Sequence, residues 1–91
     1  MTLPHKCLVI IPTYNEIDNV EDIIRATLAQ GNHFQVLIVD DNSPDGTSDK
    51  VVELQHEFSD RLHLLKRSGK LGLATAYIEG FKYGLDKNFD F

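Results

Sequence analysis

The chain has 91 residues, which is enough for one small domain and too few for two. With 42% hydrophobic and 25% charged residues it has the composition of a globular protein, and no segment approaches the ~20 apolar residues of a membrane helix. The net charge of -5 argues against nucleic acid as a partner, because a phosphate backbone requires a basic surface.

The first half of the chain predicts a strand, a helix and a second strand. Residues 7–11, CLVII, form a continuous apolar run that is typical of a buried parallel strand, and we expect Pro12 to end it. The segment EIDNVEDIIRATLAQG predicts a helix, because its apolar residues recur at helical spacing: Val20, Ile23, Ile24 and Leu28. Residues 34–39, FQVLIV, predict the second apolar strand.

The second half repeats this alternation. SPDGT is typical of a turn, and Thr47, Ser48 and Asp49 can cap or open the helix that follows. One face of this helix carries Val51, Leu54, Gln55 and Phe58. Residues 61–66, RLHLLK, predict a third strand, and SGKLG predicts a loop. The last predicted helix has apolar residues on one stripe, namely Ala74, Tyr77, Ile78, Phe81 and Leu85. Its glycines, Gly80 and Gly84, weaken it and indicate close packing on a sheet.

The order β-α-β-α-β-α predicts an α/β fold with a parallel sheet and right-handed crossovers. In such folds ligands bind beyond the carboxyl ends of the strands, where PTYNE and DDNSPDGT lie. A sheet of only three strands would leave the backbone N–H and C=O groups of an apolar edge strand unpaired. The chain halts where a fourth strand would begin. We therefore expect residues 1–91 to be the front part of a larger domain.

Several familiar ligand motifs do not fit these loops. PTYNE contains no glycine, so it lacks the G-x-G-x-x-G turn of dinucleotide-binding domains, and GKLGLAT breaks the Walker pattern at Leu71. DDNSPDG departs from a calcium loop at Pro44 or Ser43, depending on the register. A bacterial receiver domain stays as a competitor, because VLIVDD is similar to its acidic pair. In receivers, however, that pair ends the first strand.

The two loops together bring an aromatic ring and several carboxylates to one sheet edge. Tyr14 offers a face on which a base can stack, while Glu16 and the pair Asp40 and Asp41 can accept hydrogen bonds from base N–H groups or ribose hydroxyls. Taken singly, each residue has an ordinary structural explanation as a surface, capping or turn residue. Their combination favours a nucleotide site, in which a metal would meet the diphosphate charge.

Three stretches resemble the family 2 glycosyltransferases of the GT-A fold, and within them the polyprenol-phosphate mannose synthases. They are VIIPTYNE (residues 9–16), IVDDNSPDGT (residues 38–47) and GKLGLATAYIEGFKYG (residues 69–84). The first is widespread in family 2, and the other two are more specific to the polyprenol-phosphate group. The resemblance implies a Rossmann-like nucleotide-binding half of a GT-A fold, with parallel strands flanked by helices.

This resemblance also implies a reaction, namely transfer of mannose from GDP-mannose to a polyprenyl phosphate with inversion at the sugar carbon. It implies a nucleotide-sugar site made by Pro12, Tyr14, Glu16, Val39 and Asp41. Lys70 would lie near the diphosphate, although a solvated loop lysine is an equal interpretation. Asp40 would support the loop. Another family 2 enzyme that uses a UDP-sugar is the alternative.

The chain also departs from the family pattern. Members hold Mg²⁺ or Mn²⁺ with an Asp-x-Asp motif at the end of the fourth strand, and no Asp-x-Asp occurs in this sequence. We therefore expect no metal ligands and no catalytic activity from these 91 residues alone. The single cysteine, Cys7, excludes an intrachain disulfide and fits the cytoplasm. With a lipid acceptor, we expect the whole protein at the cytoplasmic face of a membrane.

Overall fold

The structure is a computed structural model that describes residues 7–68 and 73–87. Its strands and helices alternate in the order β1 (Cys7–Thr13), α1 (Val20–Leu28), β2 (Phe34–Asp40), α2 (Thr47–Gln55), β3 (Leu62–Lys66) and α3 (Leu73–Asp86). The three strands form one parallel sheet in the order β1-β2-β3. The predicted Rossmann-like α/β architecture is confirmed.

The central strand β2 is buried on both faces, because successive side chains of a strand point to opposite sides. Val36 and Ile38 pack into a core with α1 and α2 on one face of the sheet. Leu37 and Val39 pack on the other face, where α3 contributes Ala76. The sheet therefore lies between two helical layers, and its parallel strands bring their carboxyl ends to one edge.

Strand β1 does not end at Pro12 as the sequence pattern predicts. It continues to Thr13, and Pro12 lies opposite Val39 in the register. Cys7 donates its N–H to His33 and Thr13 accepts from Asp41, so the odd-numbered residues of β1 bond towards β2. The nitrogen of Pro12 therefore faces away from β2, so its missing N–H costs no hydrogen bond among the three described strands.

Helix α3 turns its small residues, not its apolar stripe, towards the sheet. Ala76 and Gly80 are buried, and a Cβ at Gly80 would lie 2.6 Å from Cγ2 of Ile10, so the predicted close packing of this glycine is confirmed. The large apolar residues are 43–67% exposed, namely Tyr77, Ile78, Phe81 and Leu85. Among the described helices, α3 is the longest with 14 residues, and none combines the length and apolar character needed to cross a bilayer.

Candidate functional site

Three loops leave the sheet at the same edge. The register pairs Thr13 with Asp40 and Asp40 with Lys66, so the last residues of the three strands lie side by side. The described parts of the loops that follow are residues 14–19, 41–46 and 67–68. Because parallel sheets of this kind bind ligands beyond the carboxyl ends of their strands, this edge is the candidate functional site.

Asp40 is fully buried at the end of β2, and the protein itself uses its carboxylate. Oδ1 accepts hydrogen bonds from the hydroxyls of Thr13 at 2.7 Å and Ser43 at 2.6 Å, and Oδ2 accepts from the N–H of Ser43 at 3.0 Å. A buried carboxylate needs such donors, because removing an unpaired charge from water is costly. The bonds join the second loop to β1, and the expected supporting role of Asp40 is confirmed.

Asp41 forms a bidentate ion pair with Arg67, the first residue after β3. Nε of Arg67 lies 2.5 Å from Oδ1 of Asp41, and Nη2 lies 2.8 Å from Oδ2. The hydrogen bonds to Asp41 are the main reason why the pKa of Arg67 is raised, and they outweigh the opposing effect of burial. Sequence reasoning missed Arg67. The available signal was its position, since a basic residue directly after β3 lies at the same edge as the acidic pair.

The first and second loops are joined by three consecutive backbone N–H groups. Asn15 donates to the hydroxyl of Ser43 at 2.9 Å, and Glu16 donates to the hydroxyl of Thr47 at 3.0 Å. Ile17 donates to the carboxylate of Asp45 at 3.1 Å. The predicted turn therefore does more than open α2, because its side chains also hold the PTYNE loop in place.

Both loops contain backbone in the left-handed region. Asn15 has φ 56°, Asn42 has φ 57° and Gly46 has φ 93°. Asparagine and glycine are the residues that adopt this region most readily. At Asp45, desolvation acts to raise the pKa, but hydrogen bonds from Thr47 and Ile17 together outweigh it and lower the pKa. The carboxylate of Asp45 is thereby favoured as the acceptor that joins the loops.

The structure brings most of the predicted nucleotide-binding residues to this edge. Tyr14 is 39% exposed and Glu16 is half-buried, both in the first loop, while Asp41 adjoins them through its N–H bond to the carbonyl of Thr13 at 3.1 Å. Half-buried Pro12 pairs with Val39 one position below. The side chain of Val39 is fully buried in the core beneath α3.

Lys70 lies outside the described residues. The described part of the edge offers carboxylate acceptors and an aromatic ring, which suits it to binding a nucleoside through base N–H or ribose O–H donors.

The described acids do not fit a metal site by themselves. Within residues 7–68 and 73–87, no three His, Cys, Asp or Glu side chains are grouped so that they could hold a metal ion. The three aspartates of the second loop already accept hydrogen bonds from protein donors: Asp40, Asp41 and Asp45. The guanidinium bound to Asp41 also places a positive charge beside this carboxylate, which disfavours a cation there.

A shallow groove of about 300 Å³ lies away from this edge, between α1 and the strands. Its lining is Val9, Ala26, Thr27, Gln30 and Phe34. None of these side chains is ionisable, so the groove offers no charged group for chemistry.

Three relatives resemble this chain in sequence over most of its length. It is 42% identical over 84 residues to the polyprenol monophosphomannose synthase of Mycolicibacterium smegmatis, and 41% identical over 85 residues to the undecaprenyl-phosphate mannosyltransferase of Micrococcus luteus. It is 39% identical over 79 residues to the dolichol-phosphate mannosyltransferase of Pyrococcus furiosus. These matches cover 92%, 93% and 85% of this chain but only 32%, 35% and 22% of the relatives.

A solved structure has the same fold. The mannosyltransferase of Pyrobaculum calidifontis, in complex with GDP-Man and Mn²⁺, superimposes with a TM-score of 0.76 and 26% sequence identity. The match covers 90% of this chain and 25% of that enzyme. Residues 8–87 match the family model of glycosyl transferase family 2, so the receiver-like alternative is set aside. The chain belongs to glycosyl transferase family 2, as its three motifs predict.

Proposed function

We propose that the chain is the nucleotide-binding front part of a polyprenol-phosphate mannosyltransferase. The enzyme would transfer mannose from GDP-mannose to a polyprenyl phosphate with inversion at the sugar carbon. The observation that carries this proposal is the 39–42% identity, over 85–93% of this chain, to relatives named for that chemistry. The fold shared with a mannosyltransferase in complex with GDP-Man supports the choice of donor.

In this proposal the two joined loops hold the nucleoside. The ring of Tyr14 provides a surface for stacking, which stabilises a base by about 1–3 kcal/mol in other aromatic sites. Glu16 and Asp41 accept hydrogen bonds from base or ribose donors. A ligand that lacks these donors would leave the two carboxylates without those bonds and would bind more weakly. Pro12 and Val39 are proposed to border this site one position before the ends of their strands, Val39 through its backbone because its side chain is buried.

The diphosphate and the acceptor require groups beyond those described. Lys70 is proposed on the diphosphate side. Mg²⁺ or Mn²⁺, when bound, would supply the positive charge that stabilises a departing nucleoside diphosphate. Because the described acids do not fit that ion, its ligands are proposed to lie in the remainder of a longer enzyme, of which residues 1–91 form the N-terminal part. With a lipid acceptor the proposed reaction would take place at a membrane surface, and we propose the cytoplasmic side.

The test is a nucleotide-binding panel measured by isothermal titration calorimetry on the full-length protein with Mn²⁺. We expect GDP and GDP-mannose to bind more tightly than UDP or UDP-glucose. Asp41→Asn removes the charge with little change in shape, and it should weaken GDP binding by about ten-fold, since hydrogen bonds to charged groups contribute ~1.5–3 kcal/mol. Asp49→Asn is the matched control, because this exposed acid lies in the first turn of α2, beyond the two loops.

Two results would contradict the proposal. A preference for UDP would replace it with the alternative, another family 2 enzyme that uses a UDP-sugar. Equal GDP affinity of Asp41→Asn and the parent would remove Asp41 from the nucleotide site.

A further inference from the structure

Arg67 lies where the third strand meets the second loop. Its backbone N–H donates to the carbonyl of Asp40 at 2.8 Å, which extends the pairing of β3 with β2 by one residue. This bond fixes the main chain of Arg67 beside the acidic pair. Its guanidinium then reaches both carboxylate oxygens of Asp41, at 2.5 and 2.8 Å. Such a planar, two-point contact restricts the rotation of a carboxylate, which a single ammonium group cannot do.

The two partners of this ion pair differ in exposure. The side chain of Arg67 is 2% exposed and that of Asp41 is 10% exposed. Helix α3 covers the arginine, because Nη1 donates to the hydroxyl of Thr75 at 2.8 Å and lies 3.9 Å from a carboxylate oxygen of Glu79. Asp41 is therefore the more accessible of the two partners for a ligand at the sheet edge.

A carboxylate oxygen has two acceptor positions, so a bond from Arg67 occupies only part of the acceptor capacity of Asp41. We propose that Arg67 is the positioning residue of the nucleotide site: it orients the carboxylate of Asp41 towards the nucleoside and links that orientation to the first turns of α3. This role rests on the proposed function, because it requires Asp41 to contact the nucleotide. Arg67 itself makes no contact with the nucleotide in this role.

The test compares two arginines at opposite ends of β3. Arg67→Lys keeps the positive charge but loses the two-point contact. Arg61→Lys is the matched control, because Arg61 bonds to backbone carbonyls at the other end of the strand: Leu28, Gly31 and Phe34. In the full-length protein we expect Arg67→Lys to weaken GDP binding by about ten-fold, and Arg61→Lys to change it less than about two-fold.

A positioning role also predicts how the variants combine. Once Asp41→Asn has removed the charge, adding Arg67→Lys should weaken GDP binding by no more than about two-fold, because contacting residues are not additive. The KM for GDP-mannose should rise with Arg67→Lys while kcat stays nearly constant, since binding is lost in the ground and transition states alike. If Arg67→Lys does not fold, Thr75→Val removes one bond of the same guanidinium and should weaken GDP binding by about three-fold.

The contrary outcomes are distinct. If the parent binds GDP and Arg67→Lys or a folded Thr75→Val binds it equally well, the positioning role is wrong and the proposed function stands. If Arg61→Lys weakens GDP binding as much as Arg67→Lys does, the effect comes from lost stability, and the positioning role of Arg67 is wrong. A parent that binds neither GDP nor UDP would overturn the proposed function, and this role with it.

Discussion

Gly80 is where α3 packs against β1, and Gly80→Ala tests that contact. A Cβ at this position would lie 2.6 Å from Cγ2, 2.9 Å from Cδ1 and 3.1 Å from Cγ1 of Ile10. Carbon atoms prefer a separation of ~3.5–4.0 Å, so at least two of these contacts are repulsive. Ile10 is branched at Cβ and cannot move Cγ2 aside without leaving its rotamer. The substitution therefore forces the helix and the sheet apart.

Two opposing effects set the magnitude. Alanine is favoured over glycine inside a helix by about 1 kcal/mol. Overpacking costs ~1–3 kcal/mol, and contacts this short on a branched side chain place Gly80→Ala near the upper value. We therefore expect the free energy of unfolding to fall by about 2 kcal/mol.

Urea unfolding followed by circular dichroism measures this loss, with Ile10→Ala as the reference background. Ile10→Ala removes all three clashing atoms, so Gly80→Ala should then raise the free energy of unfolding by about 0.5–1 kcal/mol through helix propensity. The predicted reversal of sign is specific to the contact with Ile10. Stabilisation by Gly80→Ala in the parent, or the same loss in both backgrounds, would refute the packing described for α3.

Two further predictions concern the bonds that join the first two loops and the titration of His63 in β3. In urea unfolding, Thr47→Val should lower the free energy of unfolding by about 1–2 kcal/mol, because the N–H of Glu16 loses its acceptor. The control Thr27→Val loses a bond within α1 and should lower it by less than about 0.5 kcal/mol. An equal loss of stability in the two variants would contradict the stabilising role of the hydrogen bond between Glu16 and Thr47. Burial lowers the pKa of His63, so the unfolded chain binds its proton more readily and stability should decrease as the pH falls below about 6.5. Thermal unfolding should show that decrease flattened in His63→Gln and retained in the exposed control His56→Gln. If stability falls with pH as much in His63→Gln as in the parent, the decrease comes from a group other than His63.

The sheet could be predicted from the sequence because each strand is rich in apolar residues over a short stretch. β2 in particular has apolar residues on both faces, and only the centre of a parallel sheet buries both. The end of β1 was predicted too early, since the effect of Pro12 depends on which way its nitrogen faces. That direction follows from the register with β2, which a single sequence does not contain.

Helix α3 and Arg67 needed three-dimensional information for different reasons. The apolar stripe of α3 ordinarily identifies the face that meets the core, but Ala76 and Gly80 allow a closer approach to the sheet. The acidic pair was recognised from the sequence, and the supporting role of Asp40 was inferred correctly. The partner of Asp41 is 26 residues away, and only the packing of β3 beside β2 makes that pair visible.

The most direct test of the proposed function is the transfer reaction itself. The full-length protein would be incubated with Mn²⁺, radiolabelled GDP-mannose and a polyprenyl phosphate in detergent, and the lipid product would be separated and its anomeric configuration determined by NMR. We predict a mannosyl lipid whose anomeric configuration is opposite to that of the donor. A lipid product formed from a UDP-sugar and not from GDP-mannose, or one that retains the donor's configuration, would contradict the proposal.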